Sequence, residues 1–402
     1  MPTLPQITLK PGKERALRAG YPWAFANQLA RVEGAPACGD VVLVRAADGA
    51  LLGQALYHNA SLIAARLLTP DPEQPIDEAF FAARLDAALA LRRAWLGPRR
   101  HGRLVFGEAD GLPGTVIDRY DDVLTFSTLS FGMEQRRELL LDLLTARLAR
   151  DGVAVRAVVE RNEAALRGKD GLEPRTGLLR GQLDGPVEIA EHGVTFAVDV
   201  LAGPKTGFFL DQHLNRGLVA PLARGRRVLD VFCADGGFGL AAAAAGAAHV
   251  HFLDVSAPAL ERVADNAARN GLAGRTTTEA ADALERLGQM ADAGTSDFDL
   301  VVLDPPGFAK SRQQLEAATR AYQRINISAL RLLPPGGILV TASCSQAMDE
   351  AAFLKTVHYS ARRAGCRLLR LARGTQPPDH PVLEAMPETH YLKLFVFQKI
   401  AA

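Results

Sequence analysis

The chain has 402 residues, a formal net charge of +1 and 48% hydrophobic residues, which is enough for sizeable cores and predicts two or three domains. That balance excludes a disordered polyelectrolyte but leaves a nucleic-acid partner open, because patches of charge matter more than the total. No stretch approaches the ~20 apolar residues of a membrane helix, and the cysteines at 38, 233, 344 and 366 form no CxxC zinc or redox unit.

The first residues, Met1 to Gln6, lack a charged-then-apolar pattern, so reduced thiols in a cytoplasmic protein are expected. Short strand-like runs follow. Val41–Val44 and Leu51–Leu56 flank an Asp48-Gly49 turn and predict a hairpin. Residues 62–68 are a further apolar run, and the proline-rich segment 69–75 reads as a linker. From Asp77 to Trp95 the apolar residues Phe80, Phe81, Leu85, Ala88 and Leu89 recur at helical spacing. A basic cluster, Arg92, Arg93, Arg99, Arg100, His101 and Arg103, comes next. Strands are predicted near 115–117, 123–128 and 153–159, an amphipathic helix over 133–148, and a glycine-rich loop at 167–172.

From Val187 the rhythm changes. A strand pair (187–190 and 195–200) precedes strands at 227–231, 249–255, 276–280, 298–303 and 337–342, separated by helices, and two late strands at 367–371 and 391–398. Such alternation predicts an α/β fold with a mostly parallel, doubly wound sheet. The expected division is residues 1–72, 73–186 and 187–402.

Ligands bind outside the carboxyl ends of strands in such sheets. The strand 227–231 runs into a turn with Gly236, Gly237 and Gly239, where the backbone can approach a ligand. The spacing is not GxGxxG, which argues against a dinucleotide site. Asp254 ends the next strand, where a carboxylate can grip ribose hydroxyls. Asp282 follows the third strand and could meet an adenine edge. Aspartate also favours turns and caps for its own reasons, so Asp230, Asp235 and Asp254 taken singly carry less than the ordered set. Asp304 opens an Asp-Pro-Pro run after the fourth strand, and Cys344 stands between two serines after the fifth. A thiol and an acid at neighbouring strand ends suit attack on a nucleobase ring. A thiolate adding to carbon 6 of cytosine makes carbon 5 nucleophilic, which is covalent catalysis. Buried packing is the usual fate of a lone cysteine, and Cys38, Cys233 and Cys366 are read that way.

The ordered set resembles the class I S-adenosylmethionine-dependent methyltransferases. The resemblance implies Gly236 and Gly237 at the methionine and ribose, Asp254 on the ribose, and Asp282 at the adenine; Asp235 stands where relatives often carry threonine. Three segments are similar to those of the bacterial 23S (large-subunit) ribosomal RNA 5-cytosine methyltransferases: 204–212, 304–308 and 343–345. That likeness implies S-adenosylmethionine as cofactor and no metal. It nominates Phe208, Asp211 and Gln212 at the cofactor and Lys205, Pro305 and Phe308 at the substrate. Cys344 is then the nucleophile, and Asp304 serves both catalysis and cofactor. Residues 20–28, with Tyr21 and Trp23 after Lys10, Lys13, Arg15 and Arg18, resemble the opening of a PUA β-barrel that binds RNA. The expected architecture is therefore a small PUA barrel, a central α+β domain and a Rossmann-like methyltransferase domain. Ribosomal RNA or a large-subunit assembly intermediate is the implied partner, and a homodimer is implied as well. The arginine cluster is a second candidate RNA surface. A guanine N-methyltransferase, a small-molecule O-methyltransferase and a non-catalytic assembly factor are the alternatives; in each, Cys344 would be idle.

Overall fold

The computed structural model describes residues 4–97, 99–163, 167–294, 297–309 and 312–401. The chain divides into two compact units. One comprises Met1–Val187, Asp199–Gly207 and Pro378–Thr389; the other comprises Glu188–Val198, Phe208–Pro377 and His390–Ala402.

In the first unit a six-stranded sheet has the order Trp23–Phe25, Ile63–Thr69, Leu51–Tyr57, Val41–Arg45, Gln6–Leu9, Leu29–Glu33. The alternation of Val42 and Val44 with half-buried neighbours turns one face inward onto Ile7, Leu9 and Ala55. The Asp48-Gly49 hairpin forms as its turn chemistry predicts, with Gly49 at φ 89° and the Ala50 amide donating to Asp48 Oδ1 at 3.0 Å. A five-stranded sheet follows, ordered Arg175–Gly181, Ala157–Asn162, Val123–Thr128, Thr115–Tyr120, His101–Phe106, with helices Glu78–Leu96 and Arg137–Arg150. Leu56 and Leu68 of the first sheet share a core with Phe80, Leu85 and Phe126.

Two expectations change here. Segment 69–75 is fixed rather than a free tether: Gln54 Nε2 donates to the carbonyls of Asp71, Pro72 and Gln74 at 3.3, 3.2 and 2.6 Å. The helix expected over 133–148 is broken into Phe131–Glu134 and Arg137–Arg150. At the break Arg136 turns its guanidinium to the carbonyls of Gly39 and Gly132.

The second unit holds a seven-stranded sheet. Its strands are β1 (Arg227–Val231), β2 (His249–Asp254), β3 (Thr276–Ala280), β4 (Leu300–Leu303), β5 (Ile338–Ser343), β6 (Cys366–Thr375) and β7 (Lys393–Ala401). The order is β3-β2-β1-β4-β5-β7-β6. The first five run parallel and β7 is antiparallel to both neighbours. β1, β4 and β5 are buried on both faces, which is why they read as continuous apolar runs. Leu229, Val231, Val301, Leu303, Phe395 and Phe397 point to one face, under helices α3 (Ala283–Asp292), α4 (Leu315–Leu332) and α5 (Glu350–Arg363). α1 (Gly237–Ala244) packs on β1 and β2 from the other face, its alanines allowing close approach. α2 (Ala257–Arg269) carries Asn266, which accepts from the Ala197 amide at 2.8 Å and ties down the hairpin Val187–Glu191/Val194–Val198.

Candidate active site

The parallel sheet brings the carboxyl ends of β1, β2, β4 and β5 to one edge. After β1 the chain bends through Phe232 (φ 58°) and Ala234 (φ 48°), both left-handed without being glycine, a strain that clusters at functional sites. Asp254 holds the bend: its Oδ2 accepts from the Ala234 amide at 2.9 Å and its Oδ1 from Ser256 at 2.9 Å. A carboxylate has about four lone-pair positions, so half-buried Asp254 keeps capacity for ribose hydroxyls. Asp282 caps α3, accepting from the Glu285 amide at 3.0 Å. Asp235 is buried, and its Oδ1 accepts from Arg262 of α2 at 2.7 Å. Turn and cap duties are thus met by the same acids that the sequence nominates for a ligand.

Asp230, for which the sequence suggests a turn or cap, is instead a buried acid inside β1, 1% exposed. Its Oδ2 accepts from the Gly239 amide at 2.8 Å. Burial pushes it up to about 8, with the charges of Asp304 and Asp254 adding to the effect. An aspartate within an apolar strand was the available signal.

The segment 208–212 packs beside this loop. Phe208, Asp211 and Gln212 are each 3% exposed. Phe208 lies against Phe196, with ring centres 4.9 Å apart, and under the Arg216 guanidinium at 4.6 Å. Gln212 Nε2 donates to both carboxylate oxygens of Asp304 at 2.9 Å, and Asn215 fixes Gln212 by donating to its Oε1 at 2.6 Å. Tyr391 OH donates to Asp211 Oδ2 at 2.7 Å. Tyr391 was not legible in the sequence, because its partner Asp211 lies 180 residues away. Asn215 and Arg216 bond close by in the chain, to Gln212 and to the Phe209 carbonyl, and the three-residue spacing from Gln212 to Asn215 was the available signal.

Beyond β4 and β5, Cys344 is half-buried with its Sγ 4.0 Å from the Pro305 carbonyl. Pro305, expected at the substrate, is buried, and Pro306 is the exposed one; Pro305 offers its carbonyl to the thiol instead. Phe308 is half-buried, its ring 4.8 Å from Tyr322 of α4. Tyr322 OH donates to Ser343 Oγ at 2.9 Å and lies 3.2 Å from Ser345 Oγ, which also accepts from the Ala309 amide. The two loops are thereby stitched together around the cysteine. Cys38, expected to pack, is also half-buried; it belongs to the first unit, where its thiol donates to Asn59 Oδ1 at 3.0 Å. Cys233 and Cys366 are buried, and burial raises both, Cys233 well above the ordinary range.

Lys205 belongs to the first unit, at φ 53°, and lines a pocket of about 470 Å³ with Arg103, Arg161 and Thr206. The first unit also sorts the basic cluster. Arg92 is spent on a buried bidentate pair with Asp110, and Arg103 on Asp118. Arg93 and Arg100 are exposed and line a cleft of about 810 Å³ with Arg99 and Arg119. Trp23 is occupied within the unit: its Nε1 donates to Glu108 at 2.8 Å, and Arg66 lies over its ring.

Residues 173–397 match the family described as S-adenosylmethionine-dependent methyltransferase, and residues 7–70 match a PUA-like domain. A solved methyltransferase complexed with SAH superposes with a TM-score of 0.83 at 20% identity, covering 98% of this chain and 99% of that one, and so shares the fold. The chain is therefore an S-adenosylmethionine-dependent methyltransferase with an N-terminal PUA-like domain. Proteins named ribosomal RNA large subunit methyltransferase I from Shewanella denitrificans and Shewanella frigidimarina are 44% and 43% identical to it, each over 96% of this chain and 98% of the relative. With that identity over nearly its whole length, the chain belongs to the ribosomal RNA large subunit methyltransferase I family. No helix among the described residues is long and apolar enough to cross a membrane.

The donor set fits the cofactor: a carboxylate with spare acceptor capacity ends β2, and a bent, glycine-bearing backbone leaves β1.

Proposed function

We propose that the protein methylates carbon 5 of a cytosine in 23S ribosomal RNA, in the cytoplasm, through a transient bond between Cys344 and carbon 6. The RNA class is taken from the names of the relatives; the chemistry rests on one observation, the half-buried thiol held between two stitched strand-end loops. When bound, S-adenosylmethionine supplies an electrophilic methyl group, gripped in this reading by Asp254, Gly236, Gly237 and Asp282. Phe208, Asp211 and Gln212 close beside it, and Asp235 steadies the loop through Arg262. The Cys344 thiolate attacks carbon 6, and the electron pair of the 5,6 double bond shifts to carbon 5, which becomes enamine-like. After carbon 5 is alkylated its proton passes to solvent, the electron pair of that C–H bond re-forms the 5,6 double bond, and the sulfur leaves carbon 6 as thiolate. Asp304, oriented by Gln212, faces ring atom N3 and shares a proton with it, which offsets charge that builds on the ring. Residues 1–72 and 73–186 would grip RNA, with Lys205 and Phe308 nearer the target base, and a paired target would be flipped out of its stack.

The test is a pair of variants. Cys344→Ala should abolish transfer with cofactor affinity nearly unchanged. Asp254→Ala should weaken cofactor binding by about 1.5–3 kcal/mol, the usual worth of hydrogen bonds to a charged group. RNA carrying 5-fluorocytidine should trap the intact enzyme through Cys344, because fluorine cannot leave as a proton does. Retained turnover in Cys344→Ala would overturn the reading in favour of an N- or O-methyltransferase.

A further inference from the structure

Lys393 opens β7 and pairs across the sheet with Ser343, the residue before the nucleophile. Its side chain is buried, the residue being 4% exposed. The ammonium donates to the carbonyl of Ser345 at 2.7 Å and to that of Met348 at 2.7 Å. It therefore holds, from the neighbouring strand, the turn that carries Cys344. Among the described residues it makes no ion pair with a carboxylate. A buried ammonium held only by carbonyls, with no carboxylate in direct contact, is costly, which makes its placement beside the cysteine turn a candidate for more than packing.

We propose that Lys393 is a positioning residue for the methyl-transfer site: it fixes the 344–348 turn and supplies the positive charge that favours the Cys344 thiolate. This rests on the reading of Cys344 as nucleophile. The groups facing the ammonium leave the thiol as its natural counter-charge. Asp349 caps α5 through the Ala352 amide at 2.8 Å, and Glu350 pairs with Arg373 at 2.6 Å. Tyr322, the other ionisable group against the cysteine loop, is pushed up by burial and stays neutral. Burial pushes Lys393 itself down to about 8, while Cys344, Asp349 and Glu350 hold it up. A lowered thiol is what an attacking cysteine needs, and a nearby lysine is one of the ways to obtain it.

A comparison is built into the same strand. Lys399 donates to the carbonyls of Leu330 and Leu333 at 2.7 and 2.5 Å, doing the same structural work far from the nucleophile. The experiment uses the full chain and iodoacetamide. Alkylation of Cys344 is followed by peptide mass spectrometry from pH 5 to 10 in wild type, Lys393→Met and Lys399→Met. The expected result is an alkylation midpoint at least one pH unit higher in Lys393→Met, hence about tenfold slower labelling at neutral pH, with the same plateau at high pH. Lys399→Met should overlay the wild type. Overlay of Lys393→Met on the wild type, or an equal shift in Lys399→Met, would overturn the proposal. Should Lys393→Met not fold, the coupling is read in reverse by 13C NMR of labelled lysine. The Lys393 midpoint should fall in Cys344→Ser, and an unchanged midpoint would overturn the proposal. The two readings fail separately. Turnover by Cys344→Ala removes the nucleophile, whereas an inactive Cys344→Ala with an unmoved alkylation profile removes only the role of Lys393.

Discussion

Asp230 shows how one side chain can tune a site that it need not touch. It sits inside β1, bonded to the Gly239 amide, with Asp304 and Asp254 close enough to disfavour its charge. Its folded value of about 8 lies above the ordinary carboxyl range. The neutral acid therefore contributes stability that is complete below the unfolded value near 4, shrinks above it, and is lost as pH rises through about 8. Asp230→Asn keeps the acceptor and removes the titration. Its urea midpoint should be flatter than that of the wild type between pH 5 and 8. Parallel decline of the two would assign the pH dependence to another group.

The glycine turn and α1 act as one element. α1 approaches β2 so closely that a Cβ on Gly239 would lie 2.2 Å from Phe252 Cε1 and 2.9 Å from Asp230 Oδ2. Gly239→Ala should cost about 1–3 kcal/mol, the usual penalty for overfilling a packed site. Thermal melting would show it, and an unchanged melting temperature would mean that the helix yields. Continuous apolar runs made β1 and β4 legible and the 3.6-residue period made α2 and α4 legible, because burial on both faces of a sheet or on one helix stripe leaves a local mark. The break near Gln135 left none: it follows from bonds that Arg136 makes to Gly39, nearly a hundred residues earlier.

At the scale of the molecule, two units divide the labour. The second carries the methyltransferase sheet; the first carries the PUA-like sheet and the arginine-lined cleft. If the cleft grips RNA backbone, Arg93→Ala with Arg100→Ala should flatten the salt dependence of binding to a single-stranded 23S fragment. The slope of log affinity against log salt should fall by roughly 0.7 for each phosphate no longer neutralised, with cofactor affinity unchanged. An unaltered slope would place the RNA elsewhere. Arg92 and Arg103 are unsuited to this test, since their buried carboxylate pairs hold the fold together.

Local chemistry alone was enough to read the succession of strands from residue 187 onward, the hairpin at Asp48-Gly49, and the acids and thiol at the strand ends, whereas the short strands Gln6–Leu9, Trp23–Phe25, Leu29–Glu33, His101–Phe106 and Arg175–Gly181 went unread. Those features depend on residue spacing and turn preference within a few positions. Packing decided which of them meet: Gln212 with Asp304, Tyr391 with Asp211, Tyr322 and Lys393 with the cysteine turn. It also turned Pro305 inward, committed Arg92 to the interior and tied half-buried Trp23 to Glu108. These pairings join residues brought together by crossover connections and by an antiparallel last strand. No local periodicity encodes them, because their free energy comes from burial and from satisfying polar groups that only the folded chain makes neighbours.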